Sequence, residues 1–218
     1  MNFLLRLAVI PLLVLCLWAA TMPAMAEPTG GVFTYRRVFK SSTPEFIEIK
    51  IPENSEKASY EIRQLDEDAG ASPFEVGPGL RAKIFELAGQ LNHFRGLDLD
   101  VHRKIANLGE KTFRWEAPGE SYEVKFNYTL NAPATQLLQI CEGLARQQEL
   151  IDLLRRRIKY DRLGVNDALL QFETDMSKGV LPEPQRAIPL LEQIAGDSRF
   201  LEIARERARA LAERLRHS

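Results

Sequence analysis

From Val32 to Asn131 apolar and polar residues mostly alternate, the two-residue period of strands that bury one face. In Glu45-Phe-Ile-Glu-Ile-Lys-Ile51, the side chains of Ile47, Ile49 and Ile51 fall on one side. Pro52 to Glu56 then reads as a turn, and Ala58 to Leu65 as the antiparallel partner. Lys111 to Glu116 and Ser121 to Tyr128 predict a second hairpin across Ala117-Pro118-Gly119-Glu120. In its second strand Tyr122, Val124, Phe126 and Tyr128 alternate with Glu123, Lys125 and Asn127. Between the hairpins, Leu80, Ile84, Leu87, Ala88, Leu91 and Phe94 recur at helical spacing and predict a helix that covers the apolar face of the sheet. Residues 27–131 therefore read as an α+β unit.

After Asn131 the period changes. Asn131 is a fair N-cap with Pro133 in the first turn, and Leu137, Cys141, Leu144, Ile151, Leu154 and Ile158 follow at spacings of three, four or seven. That pattern predicts one long helix reaching Tyr160. Leu163 to Lys178 predicts a second, with Leu169, Phe172 and Met176 inward and Gly179 as its stop. Pro182-Glu183-Pro184 opens a third around Ile188, Leu191 and Ile194, and Phe200 to Arg216 forms a fourth. The expected fold class is α+β: a small antiparallel sheet covered by a helix, then a bundle of about four helices over residues 132–218, packed on the sheet unit as one compact body.

The first 26 residues break both patterns. Met1 to Arg6 carries one basic side chain, Leu7 to Leu17 is almost wholly apolar, and Ala24-Met25-Ala26 has the small-x-small form of a signal-peptidase site. The reading is a signal peptide cleaved after Ala26, followed by export to the periplasm or the medium. An uncleaved anchor is the alternative, since Leu7 to Met25 approaches the length of a spanning helix, although Pro11 and Pro23 interrupt it. The bulky Leu15 before Cys16 argues against a lipidation box. After cleavage Cys141 is the remaining cysteine, so no internal disulfide forms, and its apolar helical neighbours mark it as buried filler.

With 29 basic against 30 acidic residues and 45% hydrophobic content, the chain has the composition of an ordinary globular protein. It generates no global field that would draw it to nucleic acid or to an anionic membrane. The dense basic run is local: Arg155-Arg156-Arg157-Ile158-Lys159 with Arg162. On a helix these residues fan around more than half the circumference, within reach of Glu149, Asp152 and Asp161. They read first as a solvated, ion-paired face, and second as a site for a phosphate-rich glycan, an anionic lipid headgroup or an acidic partner. The arginines of the last helix, Arg205, Arg207, Arg209, Arg214 and Arg216, are set against Glu202, Glu206 and Glu213 in the same way.

Candidate chemistry is sparse. Of the histidines, His93 ends the sheet-covering helix, His217 is penultimate, and His102 belongs to Asp98-Leu-Asp-Val-His102. Alternation would put Asp98, Asp100 and His102 on one side of an extended segment, where a divalent metal could bind, but no second histidine is near and a solvated loop edge is the simpler reading. The chain has no His-Glu-x-x-His helix, nucleophile elbow, phosphate loop or dinucleotide fingerprint. Neither a cofactor nor catalytic residues are assigned. Asn127-Tyr128-Thr129 matches the glycosylation sequon.

The stretches Ile105 to Phe113, Phe126 to Asn131 and Lys159 to Gly164 resemble a family of uncharacterised exported bacterial proteins, over most of the mature chain. The resemblance implies export and brings no activity. Ala187 to Leu191, Asp197, Arg205 and Ala208 to Leu211 are similar to one HEAT-type repeat; because a solenoid needs about three, the segment reads as an ordinary helical hairpin. The expected function is a protein-interaction or adaptor module of the bacterial cell envelope, contacting its partner through the helical half. The alternatives are a motif-poor or metal-dependent envelope enzyme and a carrier of small apolar ligands.

Overall fold

The computed structural model describes residues 30–217; residues 1–26, read above as a signal peptide, lie outside the described residues. The fold is α+β. Six antiparallel strands form one sheet: β1 (Val32–Val38), β2 (Phe46–Pro52), β3 (Lys57–Arg63), β4 (Ser72–Glu75), β5 (Glu110–Ala117) and β6 (Glu120–Phe126), in the order β4-β3-β2-β1-β5-β6. Both hairpins expected from the alternation are present, β2 with β3 and β5 with β6. The structure adds β1, which pairs with β2 on one side and β5 on the other and so joins the hairpins into one sheet, and the short edge strand β4.

The period of two sorts the sheet into faces. Phe33, Tyr35, Ile47, Ile49, Ile51, Phe113, Trp115, Val124 and Phe126 are buried in one cluster. Helix α1 (Pro78–Gln90) lays Ile84, Leu87 and Ala88 on that face. The helix is shorter than its apolar spacing suggested. Beyond Leu91 the backbone enters the left-handed region at Asn92, His93 and Phe94, a short turn that drives Phe94 into the core and sets the His93 ring 4.3 Å from that of Trp115.

Helix α2 runs from Ala132 to Tyr160, its first turn capped by the Asn131 side chain, which accepts from the Ala134 N–H at 3.1 Å. Its first half, with Leu137, Cys141 and Leu144, completes the core beneath the sheet. Its second half, with Leu150 and Leu154, belongs to a separate cluster built with α3 (Val165–Ser177), α4 (Ile188–Gly196) and α5 (Glu202–Arg216). Leu169, Phe172, Leu191, Ile194 and Leu211 fill that second core, and Gly179 takes the positive φ of a helix stop. The division between the two cores therefore falls inside α2. Cys141 is fully buried, and burial pushes its thiol well above its ordinary pKa, which keeps it unreactive. Among the described residues no helix is long and apolar enough to cross a membrane.

The arginines of α5 reach further than their spacing implied. Arg205 pairs with Glu202 one turn away, but Arg207 and Arg214 both reach Glu173 on α3 and Arg216 reaches Glu192 on α4. These pairs link helices as well as solubilise one.

Candidate functional site

The strand registers build a site at one end of the sheet. On the covered face, the row Ile62, Ile47, Arg37, Lys111 and Phe126 crosses β3, β2, β1, β5 and β6 as direct partners. Arg37 and Lys111 stand directly opposite each other, a like-charge pairing that costs stability unless something offsets it. Glu142 on α2 supplies the nearby carboxylate: the Tyr35 hydroxyl donates to it at 3.1 Å, and the Arg37 guanidinium lies 3.7 Å away. Two cations thus share one carboxylate.

They are held differently. The Lys111 ammonium donates to three backbone carbonyls, Leu108 at 2.9 Å, Gly109 at 3.2 Å and Asn127 at 2.9 Å, so it is fixed in a cage. Burial draws its pKa down and Arg37 adds to this, while Glu142 opposes both. Arg37 is under-satisfied. Its closest contacts are the 3.7 Å approach to Glu142 and a 3.5 Å bond to the Pro44 carbonyl, and its Nε is buried with no partner. A guanidinium has five donors in a planar fork matched to carboxylate and phosphate oxygens, and here most of that capacity is open.

Arg37 and Lys111 line an open cleft of about 480 Å3, walled by Phe39, Leu138 and Glu142. Tyr128 and Leu130, 42% and 65% exposed, and the exposed Leu108 form its apolar lip. Arg37 and Glu142 also line a second cleft of about 580 Å3, which shares Arg146 and Glu149 with a third of about 520 Å3. Together they make a trough along α2, whose lining positions Leu138, Glu142, Arg146, Glu149 and Leu153 recur every three or four residues. Within it Arg146 pairs with Asp175 at 2.7 Å, and burial raises the Glu149 carboxyl against the pull of Arg146. Tyr60 donates to Asp152 at 2.5 Å, and burial together with that bond pushes its phenol up to about 12.

The Asp98, Asp100 and His102 side chains do not converge. Asp98 bonds His102 Nε2 at 2.6 Å, both exposed, while Asp100 Oδ1 turns away to accept the N–H groups of Asn127 and Tyr128 at 3.2 Å each. These contacts brace the loop against the end of β6. Among the described residues no group of three or more His, Cys, Asp or Glu is placed to hold a metal. Asn127 is likewise engaged: its Oδ1 accepts from Leu108 N–H at 2.7 Å and its amide donates to the Ala106 carbonyl at 2.9 Å.

Donating a hydrogen bond to Asp98 raises the His102 pKa, and the same bond lowers that of Asp98. The raised imidazole contributes fully below its unfolded pKa, and that contribution is lost as pH rises through the folded value. The lowered carboxyl contributes above its unfolded pKa, and that contribution is lost as pH falls through the folded value. An NMR titration should place the His102 midpoint above about 6.5, and Asp98→Asn should bring it down. An unchanged midpoint in the variant would show that the pair does not form in solution.

No family model matches the chain, and no curated protein is significantly similar to it. The functional reading rests on the geometry of the cleft. Sequence reasoning did not single out Arg37 or Lys111. Their signal was parity: Arg37 continues the inward series Phe33, Tyr35, and Lys111 begins the inward series Phe113, Trp115.

Proposed function

We propose that the protein is a non-catalytic interaction module of the bacterial cell envelope, exported after cleavage at Ala26. It captures a partner segment in which an acidic group adjoins apolar side chains. The observation that carries this reading is the Arg37–Lys111 pair, two cations opposed on a covered sheet face and both lining an open cleft, with the Glu142 carboxylate 3.7 Å from Arg37. An incoming carboxylate would balance the two cations and reach the terminal nitrogens of Arg37, whose side chain is 19% exposed, while its apolar neighbours cover Leu108, Tyr128 and Leu130. The openness of the cleft suits a peptide segment that enters from the surface, and its α2 wall agrees with contact through the helical half. The basic n-region, the apolar run and the Ala24-Met25-Ala26 site support export.

Selection of a displayed random-peptide library on the intact chain tests the reading. Selected peptides should share an Asp, a Glu or a free C-terminal carboxylate beside an aromatic or aliphatic residue. Arg37→Gln should weaken them by about tenfold, the scale of one charge-assisted hydrogen bond. Tyr128→Ser combined with Leu130→Ser alters exposed positions only, and should weaken the same peptides about fivefold, as expected for losing buried apolar area. Peptides without an acidic group, or peptides indifferent to Arg37→Gln in a folded variant, would overturn the proposal.

A further inference from the structure

The two most exposed large hydrophobic side chains of the described protein are Tyr160 and Leu163, 75% and 73% exposed, and they lie three residues apart on the turn between α2 and α3. The turn is well fixed. Asp161 accepts from the Gly164 N–H at 3.0 Å and pairs with Arg157, so the segment that displays Tyr160 and Leu163 is braced at its base. Such exposure on a braced turn is costly in water, and neither residue lines one of the clefts described above. The tip is convex.

It is also basic. Three of the nearby acids already have partners, Asp152 with Arg155 and Tyr60, Asp161 with Arg157, and Asp197 with Arg199, while the exposed Asp167 in the first turn of α3 adds one negative charge beside them. Arg156, Lys159 and Arg162 are exposed and make no ion pair with a carboxylate; Lys159 lies over the Tyr160 ring at 4.8 Å, and Arg162 sits near enough to Asp197 to help lower its pKa. On α2, residues 156, 159 and 160 share a face, and the turn carries Arg162 and Leu163 beyond it.

We propose that this tip is a docking point for an anionic membrane surface. An exposed tip that offers a tyrosine, a leucine and three cations without a salt-bridge partner among the described residues matches the headgroup region of a bilayer. There the phenol and the isobutyl group enter the interface, and the cations meet lipid phosphates. The partner is a surface and not a pocketed ligand, because the residues protrude where a ligand site would be concave. The contact is peripheral and reversible, since two side chains and three charges fall far short of a spanning helix. Tyr160, Leu163, Lys159 and Arg162 line none of the clefts and only Arg156 also borders the third, so the tip would anchor the module beside the bilayer while the Arg37 cleft engages a partner.

Co-sedimentation of the mature chain, residues 27–218, with vesicles of phosphatidylcholine, with and without phosphatidylglycerol, tests the proposal; without residues 1–26 neither the apolar run Leu7 to Leu17 nor Trp18 contributes. Binding should require phosphatidylglycerol and weaken steeply as salt is raised. Replacing Arg156, Lys159 and Arg162 together by Gln should cut the partition coefficient by about a hundredfold, at about fivefold per cation. Leu163→Trp should show an emission blue shift on binding; the buried Trp115 is shielded and serves as the constant background. Tyr160→Ser with Leu163→Ser should reduce binding while leaving its salt dependence. Equal binding to neutral vesicles, or binding that survives the triple Gln variant, would refute the assignment. Binding to poly-aspartate but not to vesicles would also overturn it and assign the tip to an acidic protein.

Discussion

Glu183→Ala should destabilise the protein by about 3 kcal/mol, measured by denaturant unfolding, although residue 183 belongs to neither apolar core. Helix α1 begins at Gly77 with no side-chain cap and no acidic residue in its first turn. The missing acceptor comes from 106 residues away: both carboxylate oxygens of Glu183 accept the Gly77 N–H at 3.0 Å. A carboxylate at a helix N-terminus satisfies an orphan donor and meets the positive end of the macrodipole. Glu183 is buried, its own N–H donates to Gln147 on α2 at 2.9 Å, and Arg186 approaches it at 3.7 Å while bonding Glu75 at 2.9 Å. A hydrogen bond to a charged group is worth roughly 1.5–3 kcal/mol, and removing the acceptor also leaves a buried N–H unsatisfied. Glu183→Gln keeps an acceptor and the shape but removes the charge, so its cost should be about half as large. Equal losses in the two variants would mean that packing, and not the carboxylate, holds the α1 start.

The contact between Gly77 and Glu183 marks the kind of information that one-dimensional reading lacks. Periods of two and 3.6 made both hairpins and all four C-terminal helices legible, because each records which side of an element faces apolar neighbours. They also placed Asn131 as a cap, a matter of three residues. Strand β1 escaped as a sheet element because its alternation is short and ends in Arg36-Arg37, and its partners lie on two different hairpins. The left-handed turn at Asn92 to Phe94 kept the apolar spacing while leaving the helix, so spacing alone extended α1 too far.

The same distinction governs the sites. Asp98, Asp100 and His102 could have met at a metal only had alternation held across them; the backbone there is a loop, as in the simpler reading, with His102 itself at positive φ. Each side chain went to the nearest available partner instead. The basic run was legible as a surface feature, and the structure separates its members into paired Arg155 and Arg157 and exposed Arg156, Lys159 and Arg162. The Arg37 cleft needed the register: only pairing β1 with β5 brings Arg37 opposite Lys111, 74 positions apart in the chain.

Gly143→Ala should cost about 2 kcal/mol, against the usual gain of about 1 kcal/mol when alanine replaces glycine inside a helix. Gly143 lies near the middle of the 29-residue α2 and is buried. A Cβ there would stand 2.6 Å from the Val180 carbonyl oxygen and 3.0 Å and 3.1 Å from ring carbons of Pro182. The first of these is backbone, so relief requires the crossing segment to move rather than a side chain to rotate. Overpacking typically costs 1–3 kcal/mol and more where backbone must shift, which outweighs the propensity gain. The crossing segment also carries Glu183, and Gln147 one turn along α2 receives it, so moving Val180 away from Gly143 pulls on the bonds to Gln147 and Gly77. The two substitutions should therefore couple: in Gly143→Ala plus Glu183→Ala the loss should fall short of the sum, because the second change finds the contact already strained. Strict additivity would show that the segment docks at two independent points, and a stabilised Gly143→Ala would show that the crossing yields freely. The expected sub-additivity makes α2, the helix that carries both cores, the place where the sheet and the bundle are held together.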